Sequence, residues 1–198
     1  MAKEIEVKAW LDDPDAVRAR LDADPGFERL GQSVRDDAYY AAAGAKLATL
    51  DMDRDRMVRI RRAEDDGRPG RAHLTAKVRR MRDGVEVNTE LETAIEDPDA
   101  AVAILSYLGL GVLIRKTKRT TTYRLGEVTV ELNHIDGLGA FLECERVLPD
   151  DATEADQRRA REAVQAVLER AGVLEDRIEP RRYIDLIRER LGAAGGGA

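Results

Sequence analysis

The stretch Glu4-Ile5-Glu6-Val7-Lys8 decides how this chain is read. Side chains two apart on a β-strand share a face, so Glu4, Glu6 and Lys8 stand on one side while Ile5 and Val7 point to the other. One such pair says little, because 36% of the residues are charged. The pattern returns at Glu90-Leu91-Glu92 and at Glu143-Cys144-Glu145, and three copies need a common explanation. A strand face of paired carboxylates either meets water or holds something positive.

With 198 residues, 43% of them hydrophobic, the chain can build one good core, and a single domain over residues 1–191 is expected. Residues 192–198 lack core-forming side chains and read as a flexible tail. No apolar run approaches a membrane span and the N-terminus lacks a secretory pattern, so the expected setting is cytoplasmic, away from membranes. The lone Cys144 excludes an internal disulfide, and with only His73 and His134 beside it a zinc site of the usual Cys/His kind is excluded too. Any metal would be held by oxygen.

The net charge of −6 hides an asymmetry. Residues 54–82 carry eleven Lys/Arg against four Asp/Glu, and residues 115–124 carry five basic side chains and no acid. Taken singly, a charged stretch is most often a solvated face. Acidic and basic strands in alternation suit a ligand of both signs, such as a polyphosphate with its divalent cations, better than a bare polyanion such as nucleic acid.

In chain order, a strand at about residues 3–11 precedes Asp13-Pro14-Asp15-Ala16, which caps and starts a helix to about Asp22. Residues 32–40 read as a strand, and residues 41–55 suit helix or loop. Met57 to Arg61 alternates apolar and basic residues, with Arg59 and Arg61 on one face. Residues 63–71 read as a loop. His73 to Arg79 alternates again, with Thr75, Lys77 and Arg79 on one face, and after a turn at Asp83-Gly84 residues 85–95 return with Glu90 and Glu92. Asp97-Pro98-Asp99-Ala100 then opens a helix to Leu108, repeating the order of acidic strand, Asp-Pro-Asp-Ala and helix. Strands follow at residues 113–125, 128–133 and 141–147, then a helix from about Thr153 with Ala160, Val164, Val167 and Leu168 on one face, and a last helix over residues 180–191. The class is α+β with a mostly antiparallel sheet. Trp10 and the tyrosines read as packing residues, Cys144 as a small outward-facing apolar one, and neither histidine has a partner at ligand spacing.

The run Glu4-x-Glu6-x-Lys8, Arg59-x-Arg61, Lys77, Glu90-x-Glu92, Lys116 to Arg119 and Leu138-Gly139-x-Phe141-x-Glu143-x-Glu145 resembles, in order, the CYTH superfamily or triphosphate tunnel metalloenzymes. The segment Asp136 to Glu143 and the helix with Tyr183-Ile184-Asp185-Leu186-Ile187 most resemble class IV adenylyl cyclases, and thiamine-triphosphatase relatives share much of the pattern. The resemblance implies a closed antiparallel barrel of about eight strands around a polar tunnel, with helices packed outside. It implies Mg²⁺ or Mn²⁺ held by Glu4, Glu6, Glu143 and Glu145, with Glu90, Glu92 and Asn133 next. Asn133 stands where relatives commonly carry an aspartate, and its neutral oxygen would bind a cation more weakly.

A triphosphate would meet Lys8, Arg59, Arg61, Lys77, Lys116, Lys118 and Arg119, although strand parity sets Lys116 and Lys118 together and Arg119 opposite. Glu4, Glu6, Lys8 and Lys77 are the catalytic candidates. As a cyclase the chain would convert ATP to cyclic AMP and pyrophosphate. A hydrolase of inorganic, thiamine or nucleoside triphosphate would use the same residues, and a non-catalytic nucleotide- or polyphosphate-binding module remains open. The resemblance also allows a homodimer, with the final helix as an interface.

Overall fold

A computed structural model describes residues 3–47, 57–82 and 85–195; the side chains of residues 3, 77–90 and 192–195 lie outside that description. The elements are β1 (Lys3–Leu11), α1 (Pro14–Ala23), β2 (Glu28–Ala42), β3 (Val58–Asp65), β4 (Arg68–Pro69), β5 (Ala72–Arg82), β6 (Val85–Ile95), α2 (Pro98–Tyr107), β7 (Leu110–Leu125), β8 (Val128–Ile135), β9 (Gly139–Leu148), α3 (Glu154–Arg170) and α4 (Tyr183–Gly195). The expected α+β class is met, among the described residues, by a nine-stranded antiparallel sheet and four α-helices.

The strand order is β1-β9-β8-β7-β2-β3-β5-β6, with the short β4 paired only to β3. Among the described residues the hydrogen-bonded order starts at β1 and stops at β6, so strand pairing does not complete the expected closed barrel. The internal repeat is visible in this order. Matching β1-α1-β2-β3-β5 with β6-α2-β7-β8-β9 makes it the same from either end, and each acidic first strand pairs with the last strand of the other repeat.

The chain gathers into two compact units, Met1–Ser33 with Lys118–Tyr183, and Val34–Thr117 with Ile184–Ala198. In the first, alternation does the sorting. Ala9, Val130, Leu132, Leu142 and Cys144 turn one way and pack with Leu21 of α1 and Val164, Val167 and Leu168 of α3. Helix α3 presents these residues because they recur at helical spacing, and Thr153 and Asp156 close its N-terminus as a reciprocal capping box. In the second unit Ala38, Tyr40 and Ile60 meet Leu105 of α2, with Val58, Leu74, Ile95 and Val102 around them.

The repeated Asp-Pro-Asp-Ala starts both short helices as expected. Asp13 accepts from the Ala16 amide, and Asp97 accepts from the amides of Asp99 and Ala100. Asp97→Ala is therefore expected to destabilise the fold by about 1 kcal/mol, read as a lowered urea midpoint at unchanged slope.

Three expectations need correcting. The loop expected over residues 63–71 is a hairpin, because Asp66 (φ 48°) and Gly67 (φ 75°) adopt the left-handed pair that a tight two-residue turn requires, and β3 pairs back with β4. The strand expected at residues 32–40 spans Glu28–Ala42. The last helix starts at Tyr183 rather than residue 180 and continues to Gly195, so residues 192–195 are helical. Alanine's high helix propensity at positions 193 and 194 accounts for that extension. Residues 48–56 and 196–198 lie outside the described residues.

Candidate functional site

The polar face of the first unit is the reverse of its core. Pairing sets Glu6 opposite Glu145 and Lys8 opposite Glu143 across β1 and β9, then Glu143 opposite Glu131 across β9 and β8. Thr120 lies opposite Asn133 across β7 and β8. By strand parity Glu4, Glu6, Glu131, Glu143 and Glu145 share this face with the ammonium groups of Lys8 and Lys118.

Lys118 is committed to two of the five carboxylates. Its Nζ donates to Glu131 at 2.6 Å and to Glu143 at 2.7 Å. Burial works against that ammonium, but Glu143 and Glu131 outweigh it, so the proton is held more tightly than usual. Burial pushes the Glu143 carboxyl up, and Lys118 chiefly brings it below its ordinary value. Lys8 reaches a different partner. Its Nζ donates to the Arg181 carbonyl and lies 4.5 Å from the Tyr183 ring centroid, and burial lowers its pKa.

The remaining carboxylates are under-compensated. Glu6 stays reachable by water, yet the protein around it, then Glu143 and Glu145, push its carboxyl up to about 7 against the pull of Lys8 and Lys118. Burial, followed by Glu4, Glu131 and Glu143, raises Glu145 as well. Among the described residues no group of three His, Cys, Asp or Glu converges closely enough to hold a metal ion as it stands. Mg²⁺ makes no such demand, since it commonly takes one or two protein carboxylates and fills its other positions with water and substrate phosphate. Oxygen-only donors and an unmet negative charge at Glu6 and Glu145 fit that chemistry.

Packing of the aromatics agrees with the expectation. Trp10 lies 4.1 Å from Phe141 and Phe141 lies 4.8 Å from Tyr183, centroid to centroid, and the Trp10 indole donates to Glu179 at 3.1 Å. Cys144 points away from the polar face into the core, and burial followed by Glu143 pushes its thiol up to about 12. A thiol reagent is therefore expected to leave the native chain unlabelled and to label Cys144 once the chain is unfolded in guanidinium, a rate difference of about 100-fold or more by colorimetric assay.

The second unit holds a separate cationic set. Arg61 donates to Asp37 through two nitrogens, at 2.7 and 3.0 Å, and Lys116 lies 3.1 Å from the same carboxylate. Arg59 donates to Thr75 at 3.2 Å, Thr75 donates to Glu92 at 2.7 Å, and Arg59 lies 3.6 Å from Glu92. Asp37 is 2% exposed. Burial pushes its carboxyl up, but the Arg61 hydrogen bonds, Lys116, and the charges of Arg61 and Arg59 hold it at about 2.

The structure thus brings Glu4, Glu6, Lys8, Lys118, Asn133, Glu143 and Glu145 to one face, and Arg59, Arg61, Glu92 and Lys116 into another unit. Lys77 pairs with Glu90 across β5 and β6, but both side chains lie outside the described residues. Arg119 is not brought to the acidic face; parity turns it away, and it pairs with Asp136. Sequence reasoning missed Asp37, Thr75, Thr120, Glu131 and Glu179. Glu131 could have been found, because it lies two residues before Asn133 on an expected strand.

The chain belongs to the CYTH domain family, whose pattern matches residues 2–183. Among its relatives, adenylate cyclase CyaB of Aeromonas hydrophila is 26% identical over 188 residues, covering 95% of this chain and 90% of that protein. MJ0240 of Methanocaldococcus jannaschii is 24% identical over 183 residues, covering 92% and 97%. The solved structure of PH1819 from Pyrococcus horikoshii OT3 superimposes with a TM-score of 0.70 at 24% identity, covering 95% of this chain and 99% of that one, which shows a shared fold. No helix among the described residues is long and apolar enough to cross a membrane.

Proposed function

We propose that this chain is a divalent-metal-dependent enzyme acting on a triphosphate, and that its reaction is the conversion of ATP to cyclic AMP and pyrophosphate. The observation that carries this reading is the charge deficit on the first unit's polar face. A solvated surface would neutralise or disperse its glutamates; here Glu6 and Glu145 are set side by side with both carboxyls pushed up, a state relieved by a bound cation.

Glu6 and Glu145, with Glu4 beside them on β1, would hold Mg²⁺ or Mn²⁺. The ion would supply neutralisation of phosphate charge and acidification of a hydroxyl. The protein's own cations have the complementary task. On the same face Lys8 and Lys118 suit phosphate oxygens as point charges. In the cyclisation, the ribose 3′-oxygen bonds to the α-phosphorus, the bond from that phosphorus to the β-bridging oxygen breaks, the 3′-hydroxyl proton leaves and pyrophosphate departs. The assignment to cyclisation draws on the name carried by CyaB.

The test is incubation of the full chain with ATP, thiamine triphosphate or inorganic triphosphate, with Mg²⁺ or Mn²⁺, and resolution of cyclic AMP, pyrophosphate and phosphate. Cyclic AMP with an equal yield of pyrophosphate is the expected result. Phosphate without cyclic AMP overturns the cyclase in favour of a triphosphatase, and binding without turnover reduces the chain to a nucleotide-binding module.

A further inference from the structure

We infer that Asn133 is a positioning residue, whose side-chain amide, oriented by Thr120, holds the Glu143 carboxylate in place and offers no oxygen to a cation. This rests on the reading of the acidic face as a metal and phosphate site. Asn133 is 1% exposed, so both ends of its amide must be matched by protein. Its Nδ2 donates to Glu143 Oε2 at 2.6 Å, and its Oδ1 accepts from the Thr120 hydroxyl at 2.6 Å.

The polarity of this chain of bonds follows from chemistry. An ionised Glu143 only accepts, so the nitrogen end of the amide has to face it; the oxygen end then faces Thr120, whose hydroxyl has to donate. Glu143 Oε2 receives a second bond from Lys118, whose ammonium also serves Glu131. The order Thr120, Asn133, Glu143, Lys118, Glu131 is one connected network anchored in a buried amide. A carboxylate at position 133 could still accept from Thr120, but it would set a second negative charge against Glu143. An apolar residue would leave Thr120 and Glu143 each short of a partner.

The network divides the acidic face into two kinds of carboxylate. Glu143 Oε2 takes two donors, and the carboxylate serves to hold Lys118 where a phosphate oxygen can meet it. Glu6 and Glu145 carry the unmet charge. Asn133 therefore acts on catalysis through Glu143 and Lys118, without contact to the ion.

Thr120→Val keeps the shape of the side chain and removes the hydroxyl, so it tests the orientation of the amide alone. We expect kcat for the triphosphate to fall about tenfold, with KM and the affinity for Mn²⁺ alone, measured by calorimetry on the full chain, within about twofold, and Thr120→Ser to restore kcat. Asn133→Ala is expected to lower kcat at least as far while leaving the Mn²⁺ affinity within about threefold. An unchanged kcat in Thr120→Val, or a loss of Mn²⁺ affinity beyond about tenfold in Asn133→Ala, would overturn the inference and return Asn133 to the metal ligands. Should Asn133→Ala not fold, the Thr120 pair decides. A wild-type chain that binds no Mn²⁺ overturns the functional reading itself, which the variants do not.

Discussion

Glu6→Gln is expected to lose metal-dependent turnover by about 100-fold or more while staying folded, and in metal-free buffer above neutral pH to be more stable than the wild type. The two halves of this result have one cause. Glu6 is pushed up to about 7 by the surrounding protein and by Glu143 and Glu145, so the folded chain keeps the Glu6 proton well above the ordinary carboxylate value of 4.5. An unfolded chain releases it near that ordinary value. Between 4.5 and about 7 the unfolded state binds fewer protons than the folded one, and stability falls as pH rises through that window. Glutamine keeps the shape and removes the ionisation, so the variant escapes the loss at pH 8 and matches the wild type at pH 4.

On the proposed metal site, adding Mg²⁺ or Mn²⁺ is expected to reverse the order at pH 8, because a ligand that binds only the folded wild type stabilises it in proportion to the logarithm of its concentration. Thermal melts at the two pH values, with and without metal, give all four comparisons. Full activity in Glu6→Gln would sink the assignment of the acidic face. A variant less stable than the wild type at pH 8 without metal would contradict the charge crowding.

Asp37→Asn is the second large effect and runs the other way. Asp37 has a fully buried side chain and holds the fork of Arg61 and the ammonium of Lys116. Asparagine keeps the volume but removes a buried charge that two largely buried cations share, at an expected cost of about 3 kcal/mol near pH 7. Despite the upward push of burial, Arg61 and Lys116 depress the carboxyl to about 2, against 3.8 in the unfolded chain. This contribution is present above 3.8 and fades as pH falls towards 2, an acid-dependent loss of about 2 kcal/mol that Asp37→Asn should lack. Urea titrations of both chains at pH 7 and pH 3 should show about half of it, about 1 kcal/mol. Equal stability at pH 7 would rule out Asp37 as the anchor of this cationic set.

Much of this was legible from residue spacing. The i, i+2 glutamates and the alternation of Met57 to Arg61 and His73 to Arg79 marked strand faces, and Asp-Pro-Asp-Ala marked both short helices. Strand parity separated Arg119 from Lys118 before any contact was known. The hairpin at Asp66-Gly67 was missed because the charged residues around it carry no apolar alternation, although Asp-Gly is itself a turn signal. The helical extension to Gly195 was missed because a Gly/Ala-rich end also reads as a tail.

Asp37 and Asn133 show why the rest was hidden. Asp37 stands in a stretch dense in charge, and Asn133 looked like a weakened metal ligand; their roles depend on Arg61 and Lys116 in one case and on Thr120 and Glu143 in the other. Those partners come from other strands.

Spacing along the chain was enough to say which side chains share a face and where the two Asp-Pro-Asp-Ala helices begin, because periodicity and capping are local. Which charges meet was decided only by the strand order β1-β9-β8-β7-β2-β3-β5-β6. Coulomb and desolvation energies depend on distance and burial, and residues 6 and 145 acquire both only when their strands become neighbours. Tertiary pairing thus turned three similar Glu-x-Glu motifs into different groups: a crowded pair at Glu6 and Glu145, a hydrogen-bonded anchor at Glu143, and a partner for Thr75 and Arg59 at Glu92.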